Sequence, residues 1–193
     1  MEVLLELKTV RSGLYVGRFQ PFHYGHMKAI KYILKKVPEV IIVIGSAQYS
    51  HSLENPFTAG ERVEMIRRAL SEEGIDQGSY CLIPVEDVNV HAIWVSHVIS
   101  RIPAFHIVYS NEPLTHQLFK EAGYPVLSIP YFDRDKYNAT DIRQRIIKGG
   151  QWEKRVPPSV NEYIKLIQGP NRMKLLATTD KPRLHTHHSG SNL

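Results

Sequence analysis

One stretch, Gly17-Arg18-Phe19-Gln20-Pro21-Phe22-His23-Tyr24-Gly25-His26, concentrates the side chains best suited to chemistry. Two histidines three apart share a side at the start of a helix. Gly17 and Gly25 let the backbone approach a ligand closely, and Arg18 offers a fixed fork for phosphate oxygens. Zinc would need a third protein ligand, and Arg18 opposes a cation. Acid–base work would use the histidines alone. An anion site uses the glycines and the arginine as well, and we prefer it to a plain turn with one packed histidine. The dinucleotide fingerprint GxGxxG and the phosphate loop ending in Gly-Lys are both absent.

The elements around this stretch must carry it. Leu14-Tyr15-Val16 reads as a first strand ending at Gly17, and His26, Ile30, Ile33, Leu34 and Val37 then recur at helical spacing. Val40 to Ile44 is a continuous apolar run, as in a parallel strand covered on both faces. Thr58 with Glu61 is a capping box, followed by Val63, Ile66 and Leu70 on one helical face. Further strands are expected at Cys81–Ile83, Phe105–Tyr109 and Val126–Ile129, with helices at Ala92–Ser100 and from Leu114 to Gly123. Two more helices are expected at Thr140–Lys148 and Val160–Ile167, the second with Ser159 and Glu162 in capping-box positions. The alternation predicts an open α/β sheet, parallel and Rossmann-like, with helices on both faces. One domain spans 1–168, and 169–193 reads as a polar tail without periodicity, expected to be disordered.

Composition narrows the partners. The formal charge of +5 over 193 residues is partly a property of the tail, where Arg172, Lys174, Lys181 and Arg183 face only Asp180. The remaining charge is dispersed, which argues against nucleic acid but allows a small anion held by a few converging cations. The lone Cys81 excludes an intrachain disulfide framework. No long apolar run or signal-peptide pattern is present, so a cytoplasmic protein with no membrane partner is expected.

His23-Tyr24-Gly25-His26 resembles the (H/T)xGH signature of the nucleotidyltransferase superfamily. The match extends through Gly17–His23, Gly45-Ser46-Ala47-Gln48, Asn55–Arg62, Trp94–Val98, Tyr109-Ser110-Asn111 and Pro113-Leu114. Together these resemble the archaeal type of nicotinamide-nucleotide adenylyltransferase over about residues 12–168. The family's second phosphate motif, Ile-Ser-x-Thr-x-x-Arg, is matched by Asn138-Ala139-Thr140-Asp141-Ile142-Arg143, with Asn138 in place of the serine.

The resemblance implies a nucleotidyltransferase fold of the adenine nucleotide α-hydrolase type. It also implies joining of ATP and nicotinamide mononucleotide to give NAD and pyrophosphate, with magnesium and a homo-oligomer, often a hexamer. His26, His23, Arg18 and Arg143 would then serve the phosphates, with Thr140 as an N-cap over an anion site. Trp94 and Asn89 would take the nicotinamide, Trp94 by cation–π attraction or else by packing in the core. Gly17, Phe19, Gln20, Gly25, Ser46, Gln48 and Asn111 complete the implied nucleotide site, Asn111 having a loop-structural alternative. Arg62 reads equally as a site residue or as a surface or salt-bridge residue. No residue is assigned to a metal. Another phosphorylated substrate of an adenylyl- or cytidylyltransferase, or a noncatalytic nucleotide-binding module, remain the alternatives.

Overall fold

The computed structural model describes residues 11–133 and 136–179. Five parallel strands, β1 (Ser12–Gly17), β2 (Glu39–Ile44), β3 (Tyr80–Pro84), β4 (Ile107–Tyr109) and β5 (Val126–Leu127), lie in the order β3-β2-β1-β4-β5. The chain builds outward from β1 in one direction and then returns to its other side. The strand order therefore reverses between β1 and β4, where a crevice opens at the carboxyl ends of the strands.

Alternation along the strands explains the two layers of helices. Val40, Ile42 and Ile44 point to one face with Tyr15 and Tyr109, under α1 (Tyr24–Leu34) and α2 (Ala59–Glu72). Ile41 and Val43 point to the other with Leu14 and Val108, under α3 (His91–Ile99) and α4 (Pro113–Glu121). This two-sided cover is why β2 reads as an unbroken apolar run.

Three local readings need correction. The helix α5 (Ala139–Lys148) is capped by Asn138, whose Oδ1 accepts from the Thr140 and Asp141 N–H groups, so Thr140 lies inside the helix. A short amide side chain is a better cap than a threonine two residues later. Ser159 and Glu162 form no capping box at α6 (Pro158–Leu166). Instead the Ser159 N–H and O–H both donate to Glu72 of α2.

Finally, Gly169–Thr179, expected in the tail, forms a helix, α7, packed on α5 and α6. Met173 is buried there, and Arg172 donates to both oxygens of Glu61 at 2.7 Å and to the Pro56 carbonyl at 3.0 Å. Burial alone would raise the Glu61 carboxyl, but the hydrogen bonds from Arg172 and Thr58 outweigh it and hold the group below its usual range. The anchor is tertiary, and periodicity does not report it. Residues 180–193, with the tail histidines, lie outside the described residues. Among the described residues no helix is long and apolar enough to cross a membrane.

Candidate functional site

The head of α1 is closed by its two histidines. The His23 Nδ1 accepts from the His26 N–H at 3.4 Å, and the His26 Nδ1 accepts from the His23 N–H at 3.3 Å. This is a capping box made of imidazoles, with the rings stacked 3.6 Å apart. An Nδ1 that accepts from a backbone N–H carries no proton, so in each neutral ring the proton sits on Nε2. Burial pushes the His23 imidazole down from 6.5 to about 3. It also holds His26 well below its usual range, with His23 beside it adding to the effect. The protein alone therefore makes both rings neutral, each with one N–H donor. The spacing of the box was visible in the sequence, but histidine is not among the residues expected in a cap.

Both rings line a cavity of about 390 Å³ at the switch point, with Tyr15, Asn111, Phe132 and Tyr137 among the other walls. The glycines nearby make room for protein. A Cβ on Gly25 would lie 3.0 Å from the His23 ring, and one on Gly17 would lie 2.8 Å from the Phe19 ring. Phe19, held at φ 52, is buried and meets the His26 ring edge-on at 4.8 Å. Gln20 is buried, its amide exchanging hydrogen bonds with the Phe57 backbone at 2.9 and 3.0 Å. Phe19 and Gln20 therefore support the histidines from behind rather than face the cavity. Asn111 lines the cavity, but its amide is engaged with both backbone groups of Ile129, the structural alternative weighed above.

The arginines differ in setting. Arg143 is buried and donates to the Gln20 carbonyl at 2.8 Å and to the Thr140 Oγ1 at 3.2 Å. Its pKa is lowered by burial and by Arg18, against a smaller opposing effect of Glu54. Arg18 is exposed and lies close enough to lower the pKa of both Arg143 and Arg62 by charge repulsion. Arg143 thus reaches the histidine loop through the Gln20 carbonyl, three residues before His23, while neither Arg18 nor Arg143 stands in the wall of the histidine cavity.

A second cavity, about 360 Å³, is lined by Asp87, Asn89, Trp94 and Leu118 among others. Trp94 is half-buried and packs edge-on to Phe119 at 5.6 Å, so one ring serves both the core and the cavity wall. Ser46 and Gln48 are not in either wall. The Ser46 O–H donates to Asp87 at 2.5 Å, and the Gln48 side chain pairs with both backbone groups of Asp87. Arg62 is not a surface residue, and among the described residues it forms no salt bridge: it is fully buried among backbone carbonyls. Sequence reasoning missed Asp87, Tyr15 and Tyr137 as wall residues, because no local pattern marks them. Among the described residues no group of three or more His, Cys, Asp or Glu is arranged to hold a metal ion.

Residues 14–145 match the family model described as cytidylyltransferase-like. The chain is 55% identical over 166 residues to the nicotinamide-nucleotide adenylyltransferase of Pyrococcus horikoshii, covering 86% of this chain and 89% of that one. It is 51% identical over 172 residues to the protein of the same name from Archaeoglobus fulgidus, covering 87% and 98%. Among solved structures it superposes, with a TM-score of 0.73 and 22% identity, on a bifunctional NMN adenylyltransferase/ADP ribose pyrophosphatase of Francisella tularensis complexed with AMP and a manganese ion. That match covers 88% of this chain and 52% of the bifunctional one, so the chain spans about half its length, and the likeness concerns the fold.

Proposed function

The chain belongs to the cytidylyltransferase-like family, and on that premise we infer that it is a nicotinamide-nucleotide adenylyltransferase, moving the adenylyl group of ATP onto nicotinamide mononucleotide to form NAD and pyrophosphate. The observation that carries the reading within the site is the locked histidine pair. Two neutral imidazoles, each with Nδ1 tied to the backbone, leave two Nε2–H donors in the wall of a cavity at a helix N-terminus.

The reaction needs little more from the protein than placement and charge. An oxygen of the mononucleotide 5′-phosphate, already anionic at neutral pH, attacks the α-phosphorus of ATP. A new P–O bond forms there, and the bond from the α-phosphorus to the oxygen bridging the β-phosphate breaks. Pyrophosphate leaves with that electron pair, so no protein nucleophile is required. We assign His26 and His23 to the phosphoryl oxygens, where charge shifts during the reaction. Arg18 and Arg143 hold the phosphates, and Arg143 is pre-set for this by its bonds to Gln20 and Thr140. ATP occupies the first cavity and the mononucleotide the second, with Trp94 against the pyridinium and Asn89 at its carboxamide.

Magnesium belongs to this reading as part of the substrate, carried on ATP's own oxygens. The resemblance adds self-association, and light scattering would give the subunit number. The function is tested by supplying ATP, magnesium and nicotinamide mononucleotide and measuring NAD and pyrophosphate. Equimolar formation of both is expected. Binding of ATP without pyrophosphate release for any mononucleotide would overturn the reading.

A further inference from the structure

Arg62 lies at the centre of the loops that follow the strands. Its side chain is fully buried, and its guanidinium donates to the carbonyls of Arg18 at 2.9 Å, Gly45 at 2.7 Å and Ser46 at 3.1 Å, with Nε reaching Thr58 at 3.3 Å. These carbonyls belong to two loops, one after β1 and one after β2. Each loop contains a non-glycine residue in the left-handed region, Phe19 and Ser46, both at φ 52. Such a conformation is costly and persists only where the surroundings over-determine it. The guanidinium bonds the carbonyl just before Phe19 and the carbonyl of Ser46 itself.

The path continues from Ser46. Its N–H and O–H donate to the two Asp87 carboxylate oxygens at 3.3 and 2.5 Å, and the Gln48 amide pairs with the Asp87 backbone at 3.0 and 2.9 Å. Asp87 forms part of the second cavity's wall two residues before Asn89, whereas Arg18 opens the loop that leads to His23. One connected set of hydrogen bonds therefore joins the phosphate loop to the far cavity through a buried side chain that lines neither. In-line transfer between two bound molecules is sensitive to their separation, and a misplacement of about 1 Å can cost about 10²-fold in rate.

We propose that Arg62, Ser46 and Asp87 are positioning residues that hold the mononucleotide cavity in register with the ATP phosphates. The proposal rests on the assignment of the two cavities made above. It distinguishes a brace from a ligand: Ser46 touches no substrate, yet its hydroxyl should matter to one substrate more than the other.

The test is steady-state kinetics on the full chain, varying ATP and nicotinamide mononucleotide separately. Ser46→Ala releases the Asp87 loop while leaving the Arg62–Arg18 bond in place. It should raise the mononucleotide KM and lower kcat/KM by about tenfold, with the ATP KM changing by less than about twofold. Asp87→Ala should do the same, and the double variant should be no worse than the poorer single one, as for two residues acting as one unit. Asp87→Asn keeps the shape and an acceptor for Ser46 and should recover most of the loss. Arg62→Lys keeps the charge but not the fork, and should impair both substrates. If that variant does not fold, the Ser46 and Asp87 arms still decide. Unchanged kinetics in Ser46→Ala, or effects of Ser46→Ala and Asp87→Ala that multiply, would overturn the proposal. Failure of the unmodified protein to make NAD would instead overturn the functional reading beneath it.

Discussion

Lowering the pH from 7 to 5 should destabilise the folded protein through His23, by an amount set by where that ring sits. The ring is 6% exposed, its Nδ1 accepts the His26 N–H, and it stacks 3.6 Å from a second imidazole. A proton on Nδ1 would break the cap and bury a charge. Its pKa is accordingly about 3 in the folded protein, against 6.5 in an unfolded chain. Above pH 6.5 the ring is neutral in both states and adds no pH dependence. Between pH 6.5 and about 3 the unfolded chain binds a proton that the folded chain refuses, so stability falls as pH falls through that window. Each pH unit costs up to about 1.4 kcal/mol for one site, hence about 2 kcal/mol at pH 5. The comparison protein is His23→Asn, which keeps a side-chain acceptor at the N-cap and cannot titrate. Urea unfolding of both proteins at pH 7, 6 and 5 cancels the carboxylates and most of the contribution of His26, whose depressed pKa has the same sign. The stability difference should shift by about 2 kcal/mol in favour of the variant between pH 7 and 5. Parallel stability curves would refute the neutral, locked imidazole.

The remaining expectations concern catalysis and the α7 anchor. His26→Ala should lower kcat by about 10²–10³ as measured by pyrophosphate release, and a fall of less than about threefold would place its Nε2–H away from the reacting phosphate. Trp94→Ala should raise the mononucleotide KM by about tenfold while leaving the ATP KM within about twofold, whereas equal small changes in both would assign the ring to packing on Phe119 alone. Arg172→Ala removes two charge-assisted bonds to Glu61 and one to Pro56, and should cost about 1–3 kcal/mol in urea unfolding. An unchanged midpoint would mean that α7 is held by its apolar contacts.

Legibility followed the range of the interactions. The apolar run of β2 and the Thr58–Glu61 capping box are local, and both stand where the residue pattern puts them. Asn138 was read as a departure from a phosphate motif, yet it is the cap that opens α5, a role available to any short amide in that position. The helix α7 carries a single well-buried apolar anchor, Met173, and an ion pair to a residue 111 positions away, so its sequence looks like a tail. Ser159 likewise lost its expected local partner to Glu72, 87 positions away.

Residue order and type alone determined the alternation of strands and helices and the place of an anion-binding stretch between β1 and α1, while the class of reaction came from the family resemblance. These follow from short-range periodicity and from a motif contiguous in the chain. Only the tertiary structure decided which polar groups remain available for a ligand. Gln20, Ser46, Gln48 and Asn111 have the chemistry of nucleotide contacts, but their hydrogen bonds go to Phe57, Asp87 and Ile129. The imidazoles, by contrast, use only Nδ1 on the backbone and retain an Nε2–H each. A side chain's hydrogen-bonding capacity is set by its type, whereas the partner that uses it arrives from a distant part of the chain.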